Sequence, residues 1–321
     1  MKKVPRLSSS AAVIFLLLGS AARADDSAQN WLIRITRAAA LSYEGTFVYQ
    51  HDAQIDTLRI VHKVDDGKIR ERIVSLTGPA LEIVRTDNEV RCFLPEEKSV
   101  VVEQRGDTGA GFPSILPDRP QDLDENYNMR IGRSGRVTGR PAQEILVEPK
   151  DNFRYGYQLW ADNDTGLLLR ADLIDPDGRM IERFMFTHVK IGGPIIAATL
   201  EPENPGEDLV WHRSPVAATT TQMPWIATRL PPGFRLSAQM TRQNAPDRAP
   251  TDHLIYSDGL ATVSVFIDKQ APDAEVSTMG TNRMGAIHAF GTQVDDYQVT
   301  AVGEVPAATV ALIGGSISRK P

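Results

Sequence analysis

Asp-Thr-Gly occurs twice in this sequence, at residues 107–109 and 164–166. Two aspartates held close together can share one proton and serve as acid and base, the arrangement of a two-carboxylate hydrolase. The second copy also lies in Asp162-Asn163-Asp164-Thr165-Gly166, whose D-x-D-x-G spacing opens a calcium loop. Neither chemistry has the support it needs. A calcium loop of the helix–loop–helix kind requires a bidentate Glu at its twelfth position, and counted from Asp162 that place is Leu173, inside an apolar run. Asp107 follows Arg105-Gly106 in a polar stretch and Asp164 follows Asp162-Asn163, so neither ends an apolar strand that would hold its carboxylate rigidly. What remains is turn chemistry. "DNDTG" and "DPDG" (175–178) read as two hairpin turns flanking a leucine-rich strand, with Asp and Asn capping the backbone and Gly supplying positive φ.

Other catalytic signals are weaker still. His51, His62, His188, His212, His253 and His288 are scattered without the spacing of a metal pair. There is no G-x-S-x-G, no P-loop and no CxxC, and the glycine-rich "GDTGAG" (106–111) does not sit between a buried strand and a helix. The expectation is a protein that is not an enzyme and uses no cofactor or metal.

The elements that would position a binding site are easier to read. Asn30 to Ser42 has the period of an amphipathic helix, with Trp31, Ile35 and Ala38 on one stripe, Leu32 and Ala39 beside it, and Ser27 or Asn30 as its cap. From Tyr43 to about Ile191 the pattern is almost all strand: around ten short runs joined by tight turns, among them Asp65-Asp66-Gly67. Sequence neighbours in such a series pair, which predicts a large antiparallel sheet. Gln104 to Asn126 interrupts it with a long Gly/Pro-rich loop carrying Phe112, Ile115 and Leu116, the candidate lid. Glu201 to Met223 reads as an extended linker. Beyond it lies a smaller unit of hairpins, with a Pro231-Pro232-Gly233 turn and a closing helix that starts at Pro306 and stops at Gly314.

Residues 1–24 differ from the rest. Lys2, Lys3 and Arg6 precede an apolar run, Ala11 to Leu18, and Ala22-Arg23-Ala24 is a small-x-small cleavage site, so a secretory signal peptide cut after Ala24 is expected. Its four basic residues are unmatched by acids, and its removal takes the formal charge from −6 to −10. An acidic chain has no electrostatic footprint for nucleic acid. The single Cys92 cannot form an internal disulfide and reads as a buried, inert thiol. The mature chain is expected to be exported and soluble.

Binding is therefore the function class left standing. A wide twisted sheet that fails to close leaves a trough to be covered by a helix and loops. The strands bring aromatics to it in clusters, Phe47 with Tyr49, Tyr155 with Tyr157, and Trp160 with Phe184 and Phe186, which suit a cavity for an acyl chain. Each of them taken singly is ordinary core.

The stretches "WLIRITRAAALSYEGTFVYQHD", "GRPAQEILVEPKDNFRYGYQLWADNDTGLLLRADLIDPDGRMIERFMFT", "LPPGFRL", "LIYSDGLATVSVFID" and "VTAVGEVPAATV" resemble the RseB/MucB family of periplasmic regulators of the envelope-stress sigma factor. The resemblance runs over essentially the whole mature chain. It implies a mainly β, α+β protein: a LolA/LppX-like open half-barrel with helices on its concave face over residues 25–200, a linker over 201–222, and a small α+β domain over 223–318. It further implies a partner, the periplasmic segment of an anti-sigma factor of the RseA or MucA type, shielded from the site-1 protease and released by lipopolysaccharide or a lipid fragment. No catalytic residue comes with the family. A periplasmic lipid or lipoprotein carrier is the alternative, which would have no use for the second domain. Whether two copies pair is left open.

Overall fold

The computed structural model describes residues 27–104, 115–213, 218–219, 223–242, 249–270 and 279–320. Ala24, Asp107 and Phe112 lie outside the described residues.

The chain enters through α1 (Ala28–Ala38), capped by Ser27, whose Oγ accepts from the Asn30 N–H at 3.2 Å. Trp31, Leu32, Ile35 and Ala38 are its buried stripe, as the period requires. The helix is shorter than expected, because Ala39–Leu41 unwind into turns that deliver Tyr43 to the first strand.

The strands that follow are β1 (Tyr43–His51), β2 (Gln54–Asp65), β3 (Lys68–Ser75), β4 (Glu82–Arg85), β5 (Glu89–Leu94) and β6 (Ser99–Gln104). A 3-10 helix over Pro120–Glu125 then leads to β7 (Tyr127–Val137), β8 (Arg140–Pro149), β9 (Gly156–Asp162), β10 (Leu168–Ile174) and β11 (Met180–Ile191). With β12 (Val210–Arg213) they form one twelve-stranded sheet in the order β12-β6-β5-β4-β3-β2-β1-β11-β10-β9-β8-β7. Every pair except β12–β6 is antiparallel. The sheet is open, since its two edge strands do not pair, and it curls until Thr138 beyond β7 donates to the Thr187 carbonyl on β11 at 2.8 Å. The α1 stripe, the β1–β11 aromatics, Leu116 and Leu123 share one core.

Residues 201–213, expected as linker, are bound to this sheet. Arg70 pairs with Glu201 at 2.7 Å, the Glu203 N–H donates to Glu82 at 3.1 Å, and β12 adds to β6 in parallel. The Trp211 ring stands 6.1 Å from that of Phe93 and its Nε1 donates to the Gly206 carbonyl.

The second unit has β13 (Ala218–Thr219), β14 (Trp225–Ala227), β15 (Arg235–Arg242), β16 (Thr251–Ser257), β17 (Thr262–Lys269), β18 (Gly280–Met284), β19 (Ile287–Val294), β20 (Tyr297–Gly303), α2 (Ala307–Gly314) and β21 (Ile317–Arg319). Seven of the strands form an antiparallel sheet, β13-β15-β16-β17-β20-β19-β18, and β14 pairs with β21. α2 packs Val310 and Ile313 into a core with Trp225, Leu254, Val265 and Ala301. Pro306 is the residue before the helix rather than its first, because its extended ψ of 147° turns the chain in.

Candidate functional site

The sheet's pleat sorts the seven aromatics expected to line one trough into three places. Successive side chains on a strand point to opposite faces, so cross-strand partners form rows on one face. One row joins Phe47 to Phe186, and the next runs Tyr49–Phe184–Ala171–Leu159–Ile145. Phe47, Phe184 and Phe186 pack edge to face with centroids 5.1–6.1 Å apart, in the core that α1 closes. Tyr43 stacks on His62 at 4.7 Å, and both ring nitrogens of that buried histidine face oxygens, Glu71 at 2.8 Å and the Ala39 carbonyl at the end of α1 at 3.2 Å. The helix is thus fixed to the sheet by apolar contact and by this polar link. Ile115 and Leu116, the described lid residues, pack against the same core.

The third row on this face, His51–Glu182–Leu173–Tyr157–Val147, lies towards one end of the sheet and changes character. Tyr49 and Tyr157 sit here half-buried, and Tyr155, just before β9, is buried with Leu173 and Ala286. Ala286 belongs to the second unit, so these tyrosines stand at the seam between the two units.

Trp160 is elsewhere. Its row is Glu144–Trp160–Arg170–Met185, on the opposite face from Leu159 and Phe184. Its ring lies under Arg133 (5.4 Å) and Arg170 (5.9 Å). Trp160 and Tyr157 are an odd number of residues apart on a regular strand, so they cannot line one cavity. Trp160 belongs to the same contiguous core as Phe184 and Phe186, but its side chain leaves the opposite face of its strand.

The seam itself was not foreseen from sequence. At its centre Arg154, fully buried, forks to Asp258 of the second unit and to Asp151 at 3.0 Å, and donates to the Pro232 carbonyl at 2.6 Å. Tyr127 Oη donates to Asp258 at 3.0 Å, and burial with the Asp258 charge beside it pushes that phenol far up. Thr309 on α2 donates to the Phe153 carbonyl at 2.6 Å. Gly233, at φ +77°, lies so close to Asn126 that an added Cβ would sit 2.2 Å from the amide nitrogen, so the Pro-Pro-Gly turn is part of the contact. A planar five-donor guanidinium suits this multi-acceptor role.

Towards the β11 side of the seam, Glu182 accepts from Tyr49 Oη and from the Ala286 N–H at 3.3 Å, and meets Glu304 from the end of β20. Tyr155 Oη lies 3.3 Å from His288 Nδ1, which contacts the Val305 carbonyl at 2.8 Å. Burial, then the Glu182 charge and hydrogen bond, push Glu304 up to about 8. A cavity of about 230 Å³ opens here, lined by Tyr127, Tyr155, Tyr157, Leu260, Thr262 and Glu304. A larger polar crevice of about 620 Å³ lies between the 117–126 segment, Gln29 of α1, and Arg235, Asp258 and Gly259 of the second unit.

The aspartate-rich turns are structural. Asp162 is buried and accepts from Arg140 (2.6 Å) and from Thr165 N and Oγ1 (2.9 and 2.8 Å); burial would raise its carboxyl, and these bonds outweigh burial and hold it low. Asp175 caps the 175–178 turn, accepting from the Asp177 and Arg179 N–H groups. Cys92 is half-buried rather than buried, because β5 lies near the sheet's edge, and burial, then Glu103, raises its thiol. No described helix is long and apolar enough to cross a membrane.

Comparison with known proteins places the geometry. Residues 27–204 match the model of the MucB/RseB N-terminal domain and residues 219–318 that of the MucB/RseB C-terminal domain. The chain is 35% identical over 318 residues to the sigma factor AlgU regulatory protein MucB of Pseudomonas aeruginosa, covering 95% of this chain and 96% of that one. It is 29% identical over 333 residues to the sigma-E factor regulatory protein RseB of Haemophilus influenzae, covering 98% of each. Among solved structures, MucB in complex with MucA(peri) aligns at a TM-score of 0.70 and 31% identity over 92% of this chain and 99% of that one. MucB on its own aligns at 0.63 and 32% over 91% and 98%.

Proposed function

The chain belongs to the MucB/RseB family, and from that premise we propose that it binds the periplasmic segment of a MucA- or RseA-type anti-sigma factor and so regulates a sigma factor. The observation that carries this reading is the likeness, across both units at once, to MucB in its complex with MucA(peri). A seam with polar and tyrosine-lined cavities gives an extended segment a route along which it touches both units. A segment held there is withheld from a protease, because cleavage needs an accessible, extended backbone. The place of action is the periplasm, in keeping with the export signal of residues 1–24.

Lipid enters this reading as the release signal. The space around Phe47, Phe184 and Phe186 is filled by their own packing with α1 and Leu116, so an acyl chain gains entry only by displacing that cover. A ligand shifts an equilibrium only by its difference in affinity for the two states, so the lipid must prefer the uncovered, partner-free arrangement.

The test is cleavage of the anti-sigma periplasmic segment by its site-1 protease, with and without the mature chain, and then with lipopolysaccharide. The expected result is cleavage slowed at least tenfold by the protein and restored by lipopolysaccharide. Cleavage at the same rate with and without the protein would end the regulator reading and favour a lipid carrier.

A further inference from the structure

We propose that the cavity at the seam between Tyr127, Tyr155, Tyr157 and Glu304 is a receptor for a cationic side chain, a lysine or arginine presented by an extended peptide. It deepens the partner-binding reading by naming the chemistry of one contact.

The argument starts from charge. Glu182 from the first unit and Glu304 from the second meet at the seam, and the two arginines nearest them among the described residues are engaged elsewhere. Arg154 is committed to Asp151 and Asp258, and Arg283 to Asp52 at 3.6 Å and the Gly285 carbonyl at 2.7 Å. The other groups facing the pair are Tyr49, Asp52 and Asp56 from β1, β2 and their turn, Tyr155, Tyr157 and Asp175 from the β9–β10 side, and His288 from β19. Of the two histidines beside the pair, His288 has its Nδ1 at the Val305 carbonyl and Tyr155, and His51, the register partner of Glu182, has its Nε2 3.4 Å from Asp56. Desolvation, then the Glu182 charge and hydrogen bond, favour the protonated form of Glu304.

Shape supplies the second, independent line. The cavity of about 230 Å³ has the volume for one long side chain, and three phenol rings wall it. Aromatic faces around a carboxylate are the chemistry that recognises an ammonium or guanidinium group. The Tyr157 hydroxyl has no hydrogen-bond partner among the described residues and is available as an acceptor. Glu304 lines the cavity and is exposed as a residue, so an incoming cation reaches it without unfolding anything. An entering cation replaces the proton on Glu304, the carboxyl that lines the cavity.

This fixes the pH dependence. With Glu304 at about 8 when the cavity is empty, binding below that pH must expel a proton. Affinity therefore rises about tenfold per pH unit from 6 to 7 and levels off above 8.

The experiment uses the mature full-length chain labelled with 3-fluorotyrosine, which reports on all seven tyrosines by fluorine resonance, with assignments from single Tyr→Phe variants. The probes are Nα-acetyl-lysine methylamide, its neutral norleucine counterpart, and n-butylammonium as a free amine. The expected result is a saturable shift of the Tyr155 and Tyr157 resonances with the lysine probe and none with norleucine. Glu304→Gln should weaken binding at least tenfold at pH 8 and abolish the pH slope. Tighter binding of the lysine probe than of butylammonium assigns the site to a peptide side chain, and equal binding assigns it to small amines. No saturation by 50 mM, an equal response to norleucine, or Glu304→Gln binding within twofold overturns the proposal. These probes contain no anti-sigma sequence, so a negative result here leaves the protease-protection reading untouched, and failure of protection leaves the cavity's chemistry standing.

Discussion

The face of the first sheet under α1 and the seam between the two units lie on one continuous sheet surface, one register row apart, yet they are closed by different physics. Under α1 the contacts are Phe47, Phe184, Phe186, Trp31 and Leu32, nearly all apolar. Burial of that kind contributes roughly 25 cal/mol per Å², is non-directional, and is indifferent to pH. At the seam the same face carries Tyr49, Tyr157 and Glu182, and the second unit answers with Asp258, Glu304 and His288. Buried polar contacts are directional and add little net stability when complete, but breaking one partner is costly. An apolar cover can slide or lift by degrees; a polar seam is either made or not. The difference suits a molecule in which lipid acts on the first region and a peptide on the second.

Substitutions separate the two. Phe186→Ala should cost about 3–5 kcal/mol in urea unfolding of the first unit, through lost burial and the cavity left behind, without changing the radius of gyration of the folded chain in solution scattering. An increase in radius would show that the two regions are one cooperative unit and would collapse the distinction. Arg154→Ala should cost a similar ~3–5 kcal/mol, because it strands Asp258 and Asp151, and here scattering should report separated units. Gly233→Ala acts on the seam alone: a positive φ and the Asn126 side chain in the way should cost about 1–3 kcal/mol, read as new protease cutting near residues 201–222. Ser27→Ala removes the cap of α1 and should cost ~1 kcal/mol, visible as faster amide exchange in the helix with the seam unchanged.

The smallest effect at neutral pH concerns Glu304. Its carboxyl sits at about 8 in the folded chain, above the ordinary value near 4.5. The folded state therefore holds the proton longer, so its contribution to docking is complete below about pH 4.5 and is lost as pH rises through about 8. Glu304→Gln should flatten the fall in domain-docking stability between pH 5 and 8, measured by thermal unfolding across that range. An unchanged slope would mean that the seam does not titrate there.

Much of this was legible from residues in sequence. Asp66-Gly67, Asp258-Gly259 and Asp295-Asp296 mark hairpins because only Gly, Asn and Asp tolerate positive φ cheaply, and the structure puts Asp66, Gly67, Gly259 and Asp295 there. The α1 stripe was legible because a 3.6-residue period has one apolar face. Strand parity puts Trp160 on the opposite face from Tyr157, three residues before it, which a clustering of aromatics by type does not show. Residues 201–213 looked like linker because Pro, Glu and Gly weigh against structure locally, whereas the edge of β6 offered them a ladder that only the folded sheet contains.

By itself the sequence determined the periodicities: which segments are strands, where they turn and which are helical. Those are local consequences of φ, ψ and side-chain alternation. The tertiary structure alone decided that Arg154 meets Asp258 across 104 residues and that Glu182 meets Glu304. Charged residues carry no local signal of their partner, since burial in a low-dielectric contact, and not sequence spacing, makes the pairing matter.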